Sequence, residues 1–402
     1  MVLTQAVETR TDSALFELSE EARDMREATR EFAEKRIFPN AEEWDAKSEI
    51  PEEIIRELQE LGYFSMLTPE EYGGLGLSML AYAVVIEELS AGSAGLGITV
   101  SVNNSLVIEA INLFSGDEVK KKYLPKISEG WIGAYCLSEP GAGTDILSIS
   151  TTAVREGDHY VLNGSKLWVT NAGFSDLFIV FAKTDKEAGR KGMSAFVVER
   201  KSEGLTLGKP ENKLGIRCSD TREVNFVDVK VPGENLMGAE GDGFKTAVGI
   251  LNGGRIGVGA QAVGIGMAAL DASIKYSKER RQFNQPIANF QAIQFKLAQM
   301  ATRLEAARLM VYRAAALKDQ GVAHHREASM AKLFASQAAN YIANEGVQIH
   351  GGYGYIKEYA VERYFRDARI TEIYEGTSEA QQMVISRDLL KDRRAESSRA
   401  DN

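Results

Sequence analysis

The chain has 402 residues, a length typical of two or three domains, and its 44% hydrophobic and 26% charged content is ordinary for a globular protein. The net charge of −10 argues against non-specific binding to nucleic acid or to an anionic membrane surface. We predict no membrane-spanning run. The N-terminal segment has neither an apolar signal core nor the acid-poor composition of a transit peptide, so we expect a cytoplasmic protein.

Few residues are available for disulfide or metal chemistry. Only two cysteines occur, Cys136 and Cys218, which excludes a disulfide scaffold and fits a reducing compartment. Neither lies in a C-x-x-C motif, and we interpret both as small core residues rather than reactive thiols. The four histidines show no H-E-x-x-H spacing, so no metal site is expected.

The first part of the chain is predicted to be helical. We expect residues 1–14 to be disordered and residues 15–130 to form an α-helical domain. Apolar residues recur every three or four positions from about 18 to 44. The segment from Pro51 to Gly62 has the proline-first, glycine-last pattern of a helix. Further helices are predicted at 79–91, 95–115 and 117–129.

Residues 131–238 have a different pattern. Short segments rich in Val, Ile, Phe and Thr are separated by turn signals, and no helical pattern interrupts them. We therefore predict an antiparallel sheet that forms a small β-barrel or sandwich domain. Asn163-Gly164, between two alternating runs, predicts a hairpin turn. The predicted strands are 131–137, 150–155, 159–163, 166–170, 177–183, 193–199 and 222–231.

Residues 239–392 return to long helices, which suit a C-terminal four-helix bundle and subunit packing, and residues 393–402 form a polar tail. Within the first of these helices, Gly264-Ile-Gly266-Met-Ala-Ala269 has the spacing of a dinucleotide-binding fingerprint. No strand precedes it, so we interpret it as helix–helix packing. The helices are predicted at 243–279, 288–319, 323–349 and 376–392.

Three short segments are candidates for ligand binding. The loop Ser138–Asp145 offers hydroxyls and backbone N–H groups, although it also reads as a tight turn. Trp168 and Thr170, two apart on a strand, share a face and would give an isoalloxazine ring an aromatic wall and a hydroxyl; core packing of the Trp is equally plausible. Arg280–Phe283 is either a solvated helix end or a pyrophosphate clamp.

Glu375, in the sequence EIYEGT, is the candidate general base. A carboxylate among aromatic and apolar neighbours holds its proton more tightly and becomes a better base. The glycine that follows it, Gly376, allows close approach of a ligand. A solvated surface turn is the alternative interpretation.

These segments together resemble the acyl-CoA dehydrogenase family. The motifs are CLSEPGAGTDILS at 136–148, QIHGGYGYIKEYAVERYFRD at 348–367, and, in the family's order, LWVTNAG, ERRQF and IYEGTSE. The resemblance extends over about residues 15–392, and the pattern is most like the short-chain, butyryl-type members. It implies the same helical, β-barrel and four-helix-bundle order, FAD as cofactor, a homotetramer built as a dimer of dimers, and electron-transferring flavoprotein as electron acceptor.

The resemblance also assigns roles to residues. In the family the Arg280 and Gln348 regions contact the FAD of a neighbouring subunit. The family often has Asp where this chain has Asn252. The substrate-binding residues implied are Thr144, Asn252, Arg255 and Gly376. The FAD-binding residues implied are Tyr135, Leu137, Ser138, Gly143, Thr144, Trp168, Val169, Thr170, Arg280, Gln282, Phe283, Gln291, Gln348, Gly351, Gly352, Thr377 and Glu379.

The implied reaction is α,β-dehydrogenation of an acyl-CoA thioester to the trans-2-enoyl-CoA. Glu375 removes the α-proton and a hydride passes from the β-carbon to flavin N5. The thioester carbonyl is polarised by the backbone N–H of Glu375 and by the flavin ribityl chain. Some members carry the base at the position of Gly254, so glycine there disfavours the isovaleryl type. The end of the acyl pocket is expected at Val100, Ser101, Asn103 and Asn104.

Three other functions remain open from the sequence. The first is dehydrogenation of an alicyclic, branched or dicarboxylic acyl-CoA on the same fold. The second is a flavin monooxygenase, but such enzymes lack the base that Glu375 supplies. The third is a non-enzymatic scaffold.

Overall fold

The structure, a computed structural model, describes residues 18–391. The predicted disorder of residues 1–14 and the predicted polar tail 393–402 lie outside the described residues. The described chain runs from helices through a sheet to longer helices, which confirms the predicted fold class.

Seven helices form the N-terminal region. Serine side chains define where two of them begin: Ser19 accepts a hydrogen bond from the amide of Ala22, and Ser78 accepts one from Ala81, each at 3.2 Å. The helices are α1 (Glu20–Phe32), α2 (Ala41–Lys47), α3 (Glu52–Glu60), α4 (Met79–Gly92), α5 (Ala94–Val102), α6 (Glu109–Phe114) and α7 (Asp117–Ser128), with π-helical segments at Ala33–Ile37 and Asn103–Ile108.

The middle region is one curled sheet around its own apolar core, to which Phe178, Phe196 and Phe226 contribute. The order is β1-β4-β2-β3-β7-β6, with β5 also paired to β4. Most pairs are antiparallel as predicted, but β1 and β2 both pair with β4 in parallel, so the sheet is mixed. The strands are β1 (Gly133–Cys136), β2 (Thr152–Glu156), β3 (His159–Thr170), β4 (Leu177–Lys183), β5 (Met193–Glu199), β6 (Leu205–Leu207) and β7 (Thr221–Pro232).

The predicted hairpin at Asn163-Gly164 is wrong, because β3 passes straight through it. The turn lies earlier, where β2 and β3 pair from Glu156 to His159. Asn163 instead exchanges hydrogen bonds with Asp228 of β7, donating to its carboxylate at 3.0 Å and accepting from its amide at 2.9 Å. A side chain at Gly164 would overlap Thr151, so the glycine serves a close approach.

The C-terminal region contains five helices and a short hairpin. The helix α8 packs against α9 and α10 as well as α4, and α12 packs on α10. The sequence did not predict α11. The elements are α8 (Gly243–Glu279), β8 (Arg281–Gln282), β9 (Gln285–Pro286), α9 (Gln291–Asp319), α10 (His325–His350), α11 (Val361–Ile370) and α12 (Ser378–Leu389).

The glycine-rich segment of α8 packs against another helix, as interpreted from the sequence. A Cβ at Gly264 would overlap the backbone carbonyl of Glu87 in α4. We expect Gly264→Ala to lower the free energy of unfolding by about 1–3 kcal/mol, because the two backbones must separate. Chemical denaturation of the purified variant measures this.

Gly266→Ala is the matched control on the same helix. There the atoms nearest the added Cβ are side-chain tips that can move, Leu304 at 3.2 Å and Ile342 at 3.3 Å, and the backbone of Ala339 lies at an ordinary contact distance of 3.8 Å. The gain in helix propensity then offsets the contact. Equal losses for the two variants would contradict the packing interpretation.

Two helical stretches correct the prediction that no run is apolar enough to cross a bilayer. Ala94–Phe114 and Gly243–Glu279 pass that test by length and composition, but 100% and 83% of their most apolar windows are buried inside the protein. Buried core helices share the composition of membrane spans, so the observation is weak evidence for a membrane.

Candidate active site

Glu375 lies in the turn between α11 and α12 with an unusual backbone. Its φ is +51°, a left-handed conformation that costs a non-glycine residue about 1–2 kcal/mol. Both carboxylate oxygens are buried and have no hydrogen-bond partner among the described residues. Burial raises the pKa of Glu375 to about 7, against the opposing effect of Lys332 and Arg255. The side chain therefore has the environment of a general base that works near neutral pH.

Helix α8 approaches this carboxylate through a glycine. A Cβ at Gly254 would overlap the Oε2 atom of Glu375 and press on Leu106. One turn further along, a Cβ at Gly257 would overlap the hydroxyl of Tyr82. The two glycines leave space for the carboxylate and for the phenol on one face of the helix.

Two buried cations lie near Glu375. Arg255 donates to Asn252 at 2.9 Å and to Ser329 at 3.2 Å, and burial lowers its pKa to about 10. Lys332 donates to the carbonyl of Gly376 at 2.7 Å, and burial lowers its pKa to about 8. Within residues 18–391 neither cation forms an ion pair shorter than 4.0 Å. Both cations act on the buried Glu375 carboxylate.

The loop Ser138–Asp145 is anchored by a fully buried ion pair. Lys166 of β3 lies 2.7 Å from Glu139, and their side chains are 0% and 1% exposed. Glu139 also accepts hydrogen bonds from the amides of Ser150 and Thr151. Burial would raise the pKa of Glu139, but the Lys166 charge and these hydrogen bonds outweigh it and hold the pKa at about 2. The ion pair fixes where the loop starts.

A β-bulge displays Trp168. Lys166 pairs with Val224, but Val169 pairs with Arg222, so β3 has one extra residue here and Trp168 has a φ of +56°. Because one extra residue changes which face a side chain occupies, Trp168 is 60% exposed instead of lying in the core with Lys166. Val169 is buried, so only its backbone is available to a ligand.

Four predicted cofactor residues meet elsewhere, at the C-terminal end of α8. Arg280, Gln282, Gly351 and Gly352 line an open pocket of about 490 Å³. Its lining also includes the buried His350, whose ring stacks on that of Tyr276 with 4.1 Å between the ring centroids. Glu375 is not among the residues that line this pocket. The predicted site residues therefore fall into two places.

The remaining predicted residues are distributed around these places. The amide of Leu167 donates to Ser138, which ties the loop to β3. Tyr135 has a buried hydroxyl without a hydrogen-bond partner among the described residues, and burial, followed by the Glu375 charge, raises its pKa. Leu137 is buried, Thr170 is half-buried, Thr377 caps α12, and Gly143, Thr144, Phe283, Gln291, Gln348 and Glu379 are exposed.

The predicted end of the acyl pocket contains two asparagines with structural roles. Asn103 donates to the carbonyl of Phe64 and accepts from the amide of Gly133, and Asn104 donates to the carbonyl of Tyr63. Their side-chain amides form hydrogen bonds with neighbouring backbone groups, so they are not available to bind a substrate.

Sequence reasoning missed several residues of the site. Lys332 and Gln381, which hold the backbone beside Glu375, carry no local motif. Glu139 was within a quoted motif, but its partner Lys166 was not identified. His350 also lay within a motif, QIHGG, which is the signal that would have pointed to it.

Comparison with known proteins identifies the class. Three family models match consecutive parts of the chain: acyl-CoA dehydrogenase N-terminal domain at 19–131, middle domain at 134–229 and C-terminal domain at 241–390. The chain belongs to the acyl-CoA dehydrogenase family.

Two relatives resemble it over most of its length. The 3-(aryl)acrylate reductase of Clostridium sporogenes is 50% identical over 91% of this chain and 98% of the relative. The mitochondrial short-chain specific acyl-CoA dehydrogenase of Rattus norvegicus is 47% identical over 94% of this chain and 92% of the relative.

Solved structures give the same result. Butyryl-CoA dehydrogenase from Megasphaera elsdenii has a TM-score of 0.92 at 46% identity, covering 94% of this chain and 100% of the other. A structure from work on the electron transferring flavoprotein of Acidaminococcus fermentans has a TM-score of 0.93 at 49% identity, covering 94% of this chain and 100% of the other. A Bacillus anthracis acyl-CoA dehydrogenase complexed with FAD has a TM-score of 0.89 at 38% identity, covering 95% of this chain and 69% of the other.

Proposed function

We propose that the chain catalyses FAD-dependent α,β-dehydrogenation of a short-chain acyl-CoA, with Glu375 as the base that removes the α-proton. The observation that carries this is the buried Glu375 carboxylate, which has no hydrogen-bond partner among residues 18–391 and a pKa raised to about 7 by burial. A carboxylate of this kind accepts a proton readily near neutral pH. On the facing helix, α8, Gly254 leaves room for the Glu375 side chain.

The residues around the loop Ser138–Asp145 fit a flavin. Trp168 offers an exposed aromatic face, and the hydroxyl of Tyr135 is buried without a described partner. A Cβ at Gly143 would meet nothing within 4 Å, so there is open space in front of the loop. FAD, when bound there, would accept the hydride that leaves the β-carbon. The predicted FAD-binding and substrate-binding residues are proposed on the same basis.

We propose that each active site is completed by a second copy of the chain, within a homotetramer. Gly254 in α8, which faces Glu375, and Arg280, the residue that caps the end of α8, are 26 residues apart, about 39 Å at the rise of a helix, which is further than one extended FAD reaches. The pocket around Arg280 would therefore serve the FAD of a neighbouring subunit. Phe283, 87% exposed at the tip of the β8–β9 hairpin, supports a contact between subunits there.

Other parts of the proposal come from one similar structure and from the sequence. Electron-transferring flavoprotein is the proposed electron acceptor, since one similar structure comes from work on such a protein. The proposed location is the cytoplasm, and the proposed domains are 15–130, 131–238 and 239–392. Dehydrogenation of an alicyclic, branched or dicarboxylic acyl-CoA is the alternative on the same site.

The test is the colour of the protein. We expect purified protein to be yellow and to bleach anaerobically on addition of butyryl-CoA, because the substrate's electrons reduce the flavin. A panel of C4 to C16, branched, cyclic and dicarboxylic acyl-CoAs, with an arylpropionyl-CoA, ranks the acyl groups by kcat/KM. A colourless, FAD-free protein would contradict the proposal.

A further inference from the structure

The carbonyl oxygen of Gly376, directly after Glu375, receives hydrogen bonds from two helices. Lys332 on α10 donates through Nζ at 2.7 Å, and Gln381 on α12 donates through Nε2 at 2.8 Å. Both side chains are 0% exposed. Glu375 has a φ of +51°, a strained conformation, and Gly376 has a φ of +97°, which glycine adopts without strain. The carbonyl held in this way belongs to the residue directly after the strained one, so the two hydrogen bonds fix the end of the turn that carries the carboxylate.

The two donors differ in charge. Gln381 is neutral, whereas Lys332 brings an ammonium group into the pocket. A buried lysine normally pairs with a carboxylate. In the part of the chain that the structure describes, the hydrogen-bond acceptor of Lys332 is the Gly376 carbonyl, and no carboxylate lies within 4.0 Å of it. Its position is therefore explained by the turn that carries Glu375.

We infer that Lys332 is a positioning residue of the active site: its ammonium group holds the Gly376 carbonyl and places a positive charge beside the Glu375 carboxylate, while Gln381 supplies the same hydrogen bond without the charge. This rests on the proposed function of Glu375 as the base.

The charged groups around Glu375 come from each element packed on it. Arg255 of α8 and Lys332 of α10 are the cations, and both lower the pKa of Glu375 against the effect of burial. The phenols that face it are neutral, because burial raises the pKa of each: Tyr82 of α4, Tyr135 of β1 and Tyr374 of the same turn. Removing one cation should therefore raise the pKa of Glu375, because the effect of burial is then opposed by one positive charge instead of two.

Lys332 has its own charged neighbours. Burial lowers its pKa, Glu375 raises it, and Arg255 lowers it; Glu372 in the turn and Glu379 in α12 raise it further. The result, about 8, leaves the ammonium charged at the pH where Glu375 ionises. The charge is lost only as the pH rises above that value.

The experiment compares Lys332→Met with Gln381→Leu in pH profiles of kcat/KM for butyryl-CoA. Wild-type activity should rise with pH as Glu375 ionises. In Lys332→Met we expect this rise to move to higher pH by about one unit, the lower end of the effect of a neighbouring opposite charge. In Gln381→Leu the rise should stay in place while kcat falls several-fold, since the charge remains and only the hydrogen bonds of Nε2 to the carbonyls of Gly376 and Glu375 are lost.

Two further variants separate charge from packing. Lys332→Arg keeps a cation and should keep the wild-type position of the rise. Lys332→Gln keeps a donor without the charge and should shift like Lys332→Met, which also covers the case that the methionine variant does not fold. If the charge-removing variants lower kcat without moving the profile, Lys332 is only structural and the inference is overturned.

An infrared titration of the protonated Glu375 carboxyl group, assigned by its loss in Glu375→Gln, measures the same shift without turnover. If no acyl-CoA is dehydrogenated but the carboxyl titration shifts in Lys332→Met, the proposed function fails, and only the effect of the Lys332 charge on the Glu375 carboxyl group is shown. If turnover is normal and the titration does not shift, the inference alone fails.

Discussion

Glu375→Gln is expected to lower the rate of flavin reduction by butyryl-CoA at least a thousandfold, which corresponds to about 4 kcal/mol in the activation barrier. The amide has nearly the shape of the carboxylate but cannot accept the α-proton. Because the side chain lies in a pocket lined by Gly254 and Leu106 and forms no hydrogen bond with a described residue, the fold and the flavin content should be unchanged. Anaerobic stopped-flow bleaching and the flavin-to-protein ratio measure both.

An exposed carboxylate gives the control for this substitution. Glu358→Gln makes the same chemical change at an exposed position of the second motif and should bleach at the wild-type rate. Bleaching by Glu375→Gln within tenfold of wild type, roughly 1.4 kcal/mol, would reject Glu375 as the base.

Lys166→Met is expected to lower the free energy of unfolding by about 3–5 kcal/mol, since it leaves the Glu139 carboxylate buried without its cation. The loop Ser138–Asp145, which Glu139 anchors, should loosen at the same time, so FAD should dissociate more readily. Urea denaturation of the flavin-free protein measures the first effect, and flavin release on dilution measures the second.

Two variants check the cause of this loss. Replacing both partners in Lys166→Met with Glu139→Leu should recover part of the stability, because no buried charge remains. Lys47→Met breaks an ion pair with Glu43 whose side chains are 66% and 60% exposed, and should change stability by less than about 0.5 kcal/mol. A loss below 1 kcal/mol in Lys166→Met would show that Glu139 does not need its cation.

The helices were the most predictable part of the fold. Helix α8 begins and ends at the predicted residues, 243 and 279, because it is long and apolar, glycines precede it, and a polar, proline-containing segment follows it. Glu375 was selected from its local sequence, since an aromatic neighbour and a following glycine are visible there. Its burial and strained backbone agree with that choice.

The sheet and the supports of the site were less predictable, for physical reasons. Asn-Gly favours a hairpin locally, but at Asn163 the pairing with Asp228 of β7 uses the same side chain within a continuous strand. The bulge at Trp168 reverses the alternation of faces, which periodicity alone does not reveal. Lys166 and Lys332 act on residues 27 and 44 positions away in the chain, so no local pattern exposes them.

The Glu375 carboxylate, which is buried without a hydrogen-bond partner among the described residues, also has a consequence for protein engineering. Its folded-state pKa, about 7, lies above its ordinary value of 4.5, so its ionisation destabilises the fold progressively as the pH rises between those values. Its backbone strain adds to this cost. A screen for heat resistance alone would therefore favour glycine or a neutral side chain at position 375. Directed evolution of this scaffold must select for turnover in every round, or it will discard the base first.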